Sequence, residues 1–166
     1  MTLSPLIVRM MNPWFGSGNM KEKLFLSPLL EVRTSPLEGR GVFCSGDLKR
    51  GELIEEAHPL LLKDNTWEGC DEELRRYVFP WVELRKDWKD FCDEHGGILP
   101  VHATRPLVVL GFGMIYNHAD DYNVDFAIDK HQFVCSYKVN RDVDSGTELT
   151  INYGEDYFND SNYKKK

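Results

Sequence analysis

From Leu30 onward, apolar residues come in short alternating runs, each closed within a few residues by glycine, serine, aspartate or asparagine. Alternation with period two sends successive side chains to opposite faces of a strand, so a chain built this way folds mainly into short strands. The runs are LLEVRTS, GRGVFCS and, after the turn Lys49-Arg50-Gly51, ELIEEAHPLLL. In VDFAID, Val124, Phe126 and Ile128 share a face. In QFVCSYKV, Phe133, Cys135, Tyr137 and Val139 do, with Asp129-Lys130-His131 as the hairpin turn between the two runs. After Asp144-Ser145-Gly146, Thr147, Leu149, Ile151 and Tyr153 alternate with Glu148, Thr150 and Asn152. One stretch breaks the pattern: from Asp71 to Glu94, Leu74, Tyr77, Val78, Leu84, Trp88 and Phe91 have the spacing of one or two short helices interrupted at Pro80. Many short strands with a small helical insert predict a β-rich α+β fold.

The first 29 residues mix Pro, Gly, Asn and isolated aromatics without a period and read as an irregular arm. The body is expected over 30–160, with an insert at about 64–107, followed by a basic tail over 161–166. At 166 residues, one domain can bury its own core. With 20 basic against 27 acidic side chains, the net charge is −7. That disfavours broad binding to a phosphate backbone and suits a basic peptide. Cys44, Cys70, Cys92 and Cys135 include no C-x-x-C pair and follow no secretory signal, so reduced intracellular thiols are expected. No run approaches the roughly 20 apolar residues of a membrane span, and no membrane contact is expected.

The densest polar stretch is GFGMIYNHADDYNVDF, Gly111 to Phe126. Asp121, Asn123 and Asp125 stand at positions one, three and five of a calcium loop, but Phe126 replaces the required glycine and Gln132 the final carboxylate. His118 lacks the partners of a zinc site. Gly39-Arg40-Gly41 is not a dinucleotide fingerprint, since Cys44 replaces the third glycine and a strand follows rather than a helix. Taken singly, the glycines read as turns, Asn117-His118 as a turn with a core histidine, and Tyr153 as a strand-end core residue.

The three segments GRGVFCSGDLKRGELIEE, GFGMIYNHADDYN and GTELTINYGEDYF, in this order, resemble the three signature motifs of the SET-domain protein lysine methyltransferases. More narrowly, SPLEGRGVF, GELIEE, GFGMIYNH and YGEDYF are similar to the compact SET proteins of large DNA viruses, which methylate a histone lysine. The resemblance spans about Glu31 to Phe158. It implies several short curved sheets around a C-terminal pseudoknot, with the helical insert walling the peptide groove. The implied activity is methyl transfer from S-adenosylmethionine to a lysine of a basic protein, most simply a histone tail. Nucleus or host chromatin is the location this implies.

The same resemblance assigns roles. Gly39, Arg40, Gly41, Asn117, His118 and Tyr157 would bind the cofactor, Tyr153 would be catalytic, and Tyr116, Phe126 and Ile151 would line the lysine channel. Asn123 matches the last position of the second motif. Tyr122 stands where proline is common, Ala119 where serine is, and Thr147 where an acid usually precedes Glu148. No cysteine cluster follows Phe158, so no metal is implied. Cover for the cofactor would come from Tyr157-Phe158, a folded C-terminal segment or the second subunit of a homodimer. Ile151, small and without a hydroxyl, predicts products beyond monomethyl-lysine. Asp64, Glu68, Asp71, Glu72 and Glu73, with Asp120, Asp121, Asp125 and Asp129, form either a rim for a basic peptide or a solvated face. A catalytically silent module that binds a peptide or protein partner is the alternative function.

Overall fold

The computed structural model describes residues 21–62, 74, 77–80, 106–129 and 132–154. All ten elements assigned among them are strands, arranged in three small sheets. Residues 1–20 of the expected arm over 1–29, most of the insert, Tyr157 and the pseudoknot segment beyond Gly154 lie outside the described residues.

The four-stranded sheet carries β1 (Leu30–Thr34), β2 (Arg40–Cys44), β10 (Glu148–Ile151) and β7 (Asn117–His118), in that spatial order. β1 and β2 form a hairpin with Thr34 opposite Arg40. β10 then runs antiparallel to β2, with Glu148 opposite Phe43, and parallel to β7, with Ile151 opposite His118. Enclosed between two neighbours, β10 is buried on both faces at Leu149, Thr150 and Ile151. The parallel pair with β7 brings two segments about thirty positions apart in sequence side by side.

The second sheet, β3 (Leu53–Ala57), β9 (Val134–Val139) and β8 (Val124–Asp129), supplies much of the core. β8 follows the expected alternation, with Val124 buried, Phe126 and Ile128 half-buried, and Asp125, Ala127 and Asp129 exposed. β3 does not. Its register against β9 shifts between Leu53 and Glu55, a bulge that leaves both Ile54 and Glu55 inside. The third sheet joins β4 (Pro59–Leu61), β6 (Pro106–Val109) and β5 (Phe79–Pro80). Pro80, expected to interrupt the helices, closes an edge strand, where a residue without an amide hydrogen is tolerated; of the expected helical stretch, Leu74 is helical and the rest lies mostly outside the described residues. Leu107, expected as the end of the insert, lies within β6.

The core is continuous across the sheets, with Val42, Leu48, Ile54, Leu107, Tyr137 and Leu149 among its buried members. The turn from Gly111 to Tyr116 passes over this core and delivers the chain into β7.

Candidate active site

The start of β2, the end of β10 and the two residues of β7 come together at one end of the four-stranded sheet, and the Glu148 side chain reaches Gly41 and Asn117 there from the start of β10. Gly39 precedes β2 with φ at 50°, in the left-handed region where glycine is unstrained, and its carbonyl accepts the Ser35 amide at 3.0 Å. That bond closes the Ser35–Gly39 loop. The Ser35 hydroxyl donates to Glu148 Oε2 at 2.9 Å, and the Asn117 amide donates to Glu148 Oε1 at 2.8 Å. Asn117 Nδ2 also lies 3.1 Å from the carbonyl oxygens of Glu38 and Arg40. One amide group therefore ties all three motif segments together.

Gly41 has a definite steric reason. A Cβ there would sit 2.0 Å from Glu148 Oε1 and 3.1 Å from Asn117 Nδ2. The close approach that this glycine permits is made by Glu148. At Gly39, by contrast, a Cβ would meet nothing within 4 Å, and Gly39 and Arg40 are both exposed.

His118 and Tyr153 form the second half of the site. The Tyr153 amide donates to His118 Nδ1 at 3.2 Å, which places the proton of the neutral ring on Nε2, facing Asp120 Oδ1 at 3.4 Å. The two rings are 5.4 Å apart, tilted by 47°. The Tyr153 hydroxyl donates to the main-chain carbonyl of Tyr116 at 2.7 Å. With its hydrogen so directed, this oxygen offers lone pairs, and the Tyr116 carbonyl lies beside it. Two acceptors this close together can orient an N–H donor or a polarised C–H group.

The three channel candidates fall in different places. Tyr116 is fully buried, its hydroxyl donating to Glu55 Oε2 at 2.9 Å and its ring stacked 4.7 Å from that of Tyr137. Its carbonyl, rather than its side chain, meets Tyr153. Ile151 is 1% exposed, within the core cluster. Phe126 is half-buried, with its ring 5.1 Å from that of Tyr137. Burial first, then the charge of Glu55, pushes the Tyr116 phenol well above its ordinary range; burial does the same to Tyr137. Both remain donors.

Sequence reasoning assigned no role to the Glu148 carboxylate, to Ser35 or to Glu55. Only the retained Glu148 in the third motif hinted at the first of these. Among the described residues no group of three or more His, Cys, Asp and Glu side chains could hold a metal ion, and no helix is long and apolar enough to cross a membrane.

The SET domain family model matches residues 39–154, a span that contains β2 to β10. The chain belongs to the SET domain family. A relative from Schizosaccharomyces pombe, the histone-lysine N-methyltransferase specific for H3 lysine-37, is 26% identical over 138 residues, covering 82% of this chain and 80% of the relative. Among solved structures, a Plasmodium falciparum protein described as a histone methyltransferase aligns with a TM-score of 0.52 at 22% identity, covering 78% of this chain and 96% of that one. A humanized mutant of the Chaetomium thermophilum Polycomb Repressive Complex 2, bound to an inhibitor, also aligns at 0.52. Its identity is 23%, over 78% of this chain and 15% of the other. At these identities the two structures establish the SET fold alone. The family and the yeast relative support lysine methyltransferase activity.

Proposed function

We propose that this SET domain transfers methyl groups from S-adenosylmethionine to a lysine of a basic protein, with a histone tail as the first substrate to test. The observation that carries this reading is the Tyr153 hydroxyl, held 2.7 Å from the Tyr116 carbonyl at the end of β10 and beside His118.

The residues fit the cofactor. Open space beside the left-handed Gly39, with exposed main chain at Gly39 and Arg40, suits a ligand that carries polar amino-acid atoms. The half-buried pair Asn117-His118, beside the start of β2, is assigned to the cofactor's adenine and amino-acid ends. Asn117 acts by holding Glu38, Arg40 and Glu148 in register rather than by offering its amide nitrogen outward. Tyr157 is assigned to the cofactor's cover.

When bound, the cofactor supplies an electrophilic methyl group on a sulfonium. The protein must present a neutral amine in line with that methyl. A lysine of ordinary pKa, about 10.4, is almost wholly protonated at neutral pH. Removing it from water favours the neutral form, and the proton leaves to solvent. The Tyr153 oxygen would accept an N–H bond from this amine, directing its nitrogen lone pair toward the methyl group that the cofactor would supply. Such positioning supplies much of the acceleration in a displacement between two bound reactants. A net charge of −7 favours a basic substrate. A histone substrate would place the protein on chromatin.

Calorimetry with S-adenosylmethionine in the presence of a chelator tests the cofactor assignment. Saturable one-to-one binding is expected. Absence of binding that zinc restores would contradict it.

A further inference from the structure

Glu55 lies 1% exposed in β3, at the bulge, inside the first motif segment but without a role in the site described above. Its carboxylate collects donors from a single turn. Oε1 accepts the Phe112 amide at 2.7 Å and Oε2 the Tyr116 hydroxyl at 2.9 Å, while the Gly113 amide also bonds the carboxylate. The turn wraps it closely: a Cβ on Gly111, whose φ is 81°, would stand 2.5 Å from Oε1. Directly across the ladder from Glu55 is Tyr137. Its ring stacks on Tyr116 and its hydroxyl donates to the Gly113 carbonyl at 3.1 Å. Glu55 and Tyr137 together form a platform on which the turn from Gly111 to Tyr116 is fixed at four points. The end of that turn is the carbonyl that holds the Tyr153 hydroxyl.

We propose that Glu55 is a positioning residue for methyl transfer: by gripping the turn through Phe112, Gly113 and the Tyr116 hydroxyl, it fixes the Tyr116 carbonyl that orients Tyr153. This inference rests on the proposed function and deepens it. A buried carboxylate is otherwise an expensive choice, since an ionised group without full hydrogen bonding is strongly disfavoured in a core. Three converging donors give the choice a reason, because an ionised carboxylate only accepts. Glutamine reproduces most of the arrangement. Its oxygen can take the amides, and its NH2 can donate to a Tyr116 hydroxyl that has rotated. Alanine reproduces none of it.

The test measures methyl transfer to a histone H3 tail peptide by the wild type, Glu55→Ala, Glu55→Gln, Tyr153→Phe and the double variant Glu55→Ala/Tyr153→Phe. Glu55→Ala should lower kcat by about 10- to 100-fold with the peptide KM changed less than about threefold, the signature of lost orientation rather than lost binding. Glu55→Gln should restore most of the rate. In the Tyr153→Phe background, Glu55→Ala should cost less than about threefold more, because the group it positions is already gone. Losses that multiply instead would overturn the proposal, as would a Glu55→Ala rate equal to that of wild type. If Glu55→Ala does not fold, Tyr116→Phe, which removes only the hydroxyl link, takes its place in the same cycle.

A second arm needs neither cofactor nor turnover. With carbon-13 labelled tyrosine, the Tyr153 Cζ resonance, assigned by its loss in Tyr153→Phe, should move in Glu55→Ala and stay near its wild-type position in Glu55→Gln. An unmoved resonance in Glu55→Ala refutes the positioning role even where transfer is seen. A wild type that transfers no methyl group refutes the functional reading, while the resonance still decides whether Glu55 holds Tyr153.

Discussion

Glu55 is raised above the ordinary glutamate range, first by burial, against the lowering effect of its bonds from Phe112, Tyr116 and Gly113. A carboxyl group raised on folding favours the native state most when it is protonated, and that contribution is lost as pH rises through the folded pKa. Glutamine at this position never ionises. The stability of Glu55→Gln relative to wild type should therefore be greater at about pH 7.5 than at about pH 5, nearer the ordinary glutamate value of about 4.3. Urea denaturation of both proteins at the two pH values checks this, and an identical difference at both would refute the assignment. Neighbouring Cys135 feels the same surroundings: burial, then the charge of Glu55, pushes its thiol up to about 12. At this scale the sequence was informative about Gly39, Asn117, His118 and Tyr153, which the fold brings to one end of a sheet. It was silent on Glu55 because strict alternation pairs Leu53 with Glu55 and Ile54 with Glu56, whereas the bulge turns Ile54 and Glu55 both inward. Nor did it reveal that Gly41 is small on account of Glu148, a contact across more than a hundred positions.

Among the elements, β10 is the keystone, and Asn123 extends its sheet beyond the two residues of β7. The Asn123 side chain accepts the Thr150 amide and donates to the Glu148 carbonyl, each at 2.9 Å, while its own amide donates to the Thr150 carbonyl at 3.3 Å. A side chain here does the work of a neighbouring strand. Asn123→Ala should leave the Thr150 amide and the Glu148 carbonyl without these partners and lower stability by about 2–6 kcal/mol, at roughly 1–3 kcal/mol for each. Asn123→Asp, which keeps the acceptor but turns a carboxylate oxygen toward the Glu148 carbonyl, should lose at least as much at neutral pH. Denaturant midpoints measure both, and an Asn123→Ala midpoint equal to wild type would contradict this role. β8 could be read from alternation because it has one dry and one wetter face. Two-residue β5 and β7 carry no period to read, and β10, covered on both faces, hides its alternation in burial. Pro80 acted as a helix breaker in the sequence and as a strand edge in the fold.

On the scale of the whole molecule, three segments spread over more than a hundred residues meet because β10 lies between β2 and β7. Their order along the chain could be read directly; their meeting required pairing between distant strands, which local patterns do not encode. The acidic surface is partly spoken for. Asp121 pairs with Arg141, Asp125 accepts from Asn140, and Asp129 accepts the Gln132 amide. A rim for basic peptides therefore draws on overall charge more than on a row of free carboxylates. Lysine methylation through Tyr153 is what we propose for this SET domain. Its most direct test is incubation with radiolabelled S-adenosylmethionine and histone proteins, wild type beside Tyr153→Phe, with labelled residues located by mass spectrometry. Label on lysine is expected, with a loss of at least about 100-fold in Tyr153→Phe, cofactor affinity nearly unchanged, and no label without enzyme. Cofactor binding with no transfer to any histone lysine would contradict it and leave a silent peptide-binding module in its place.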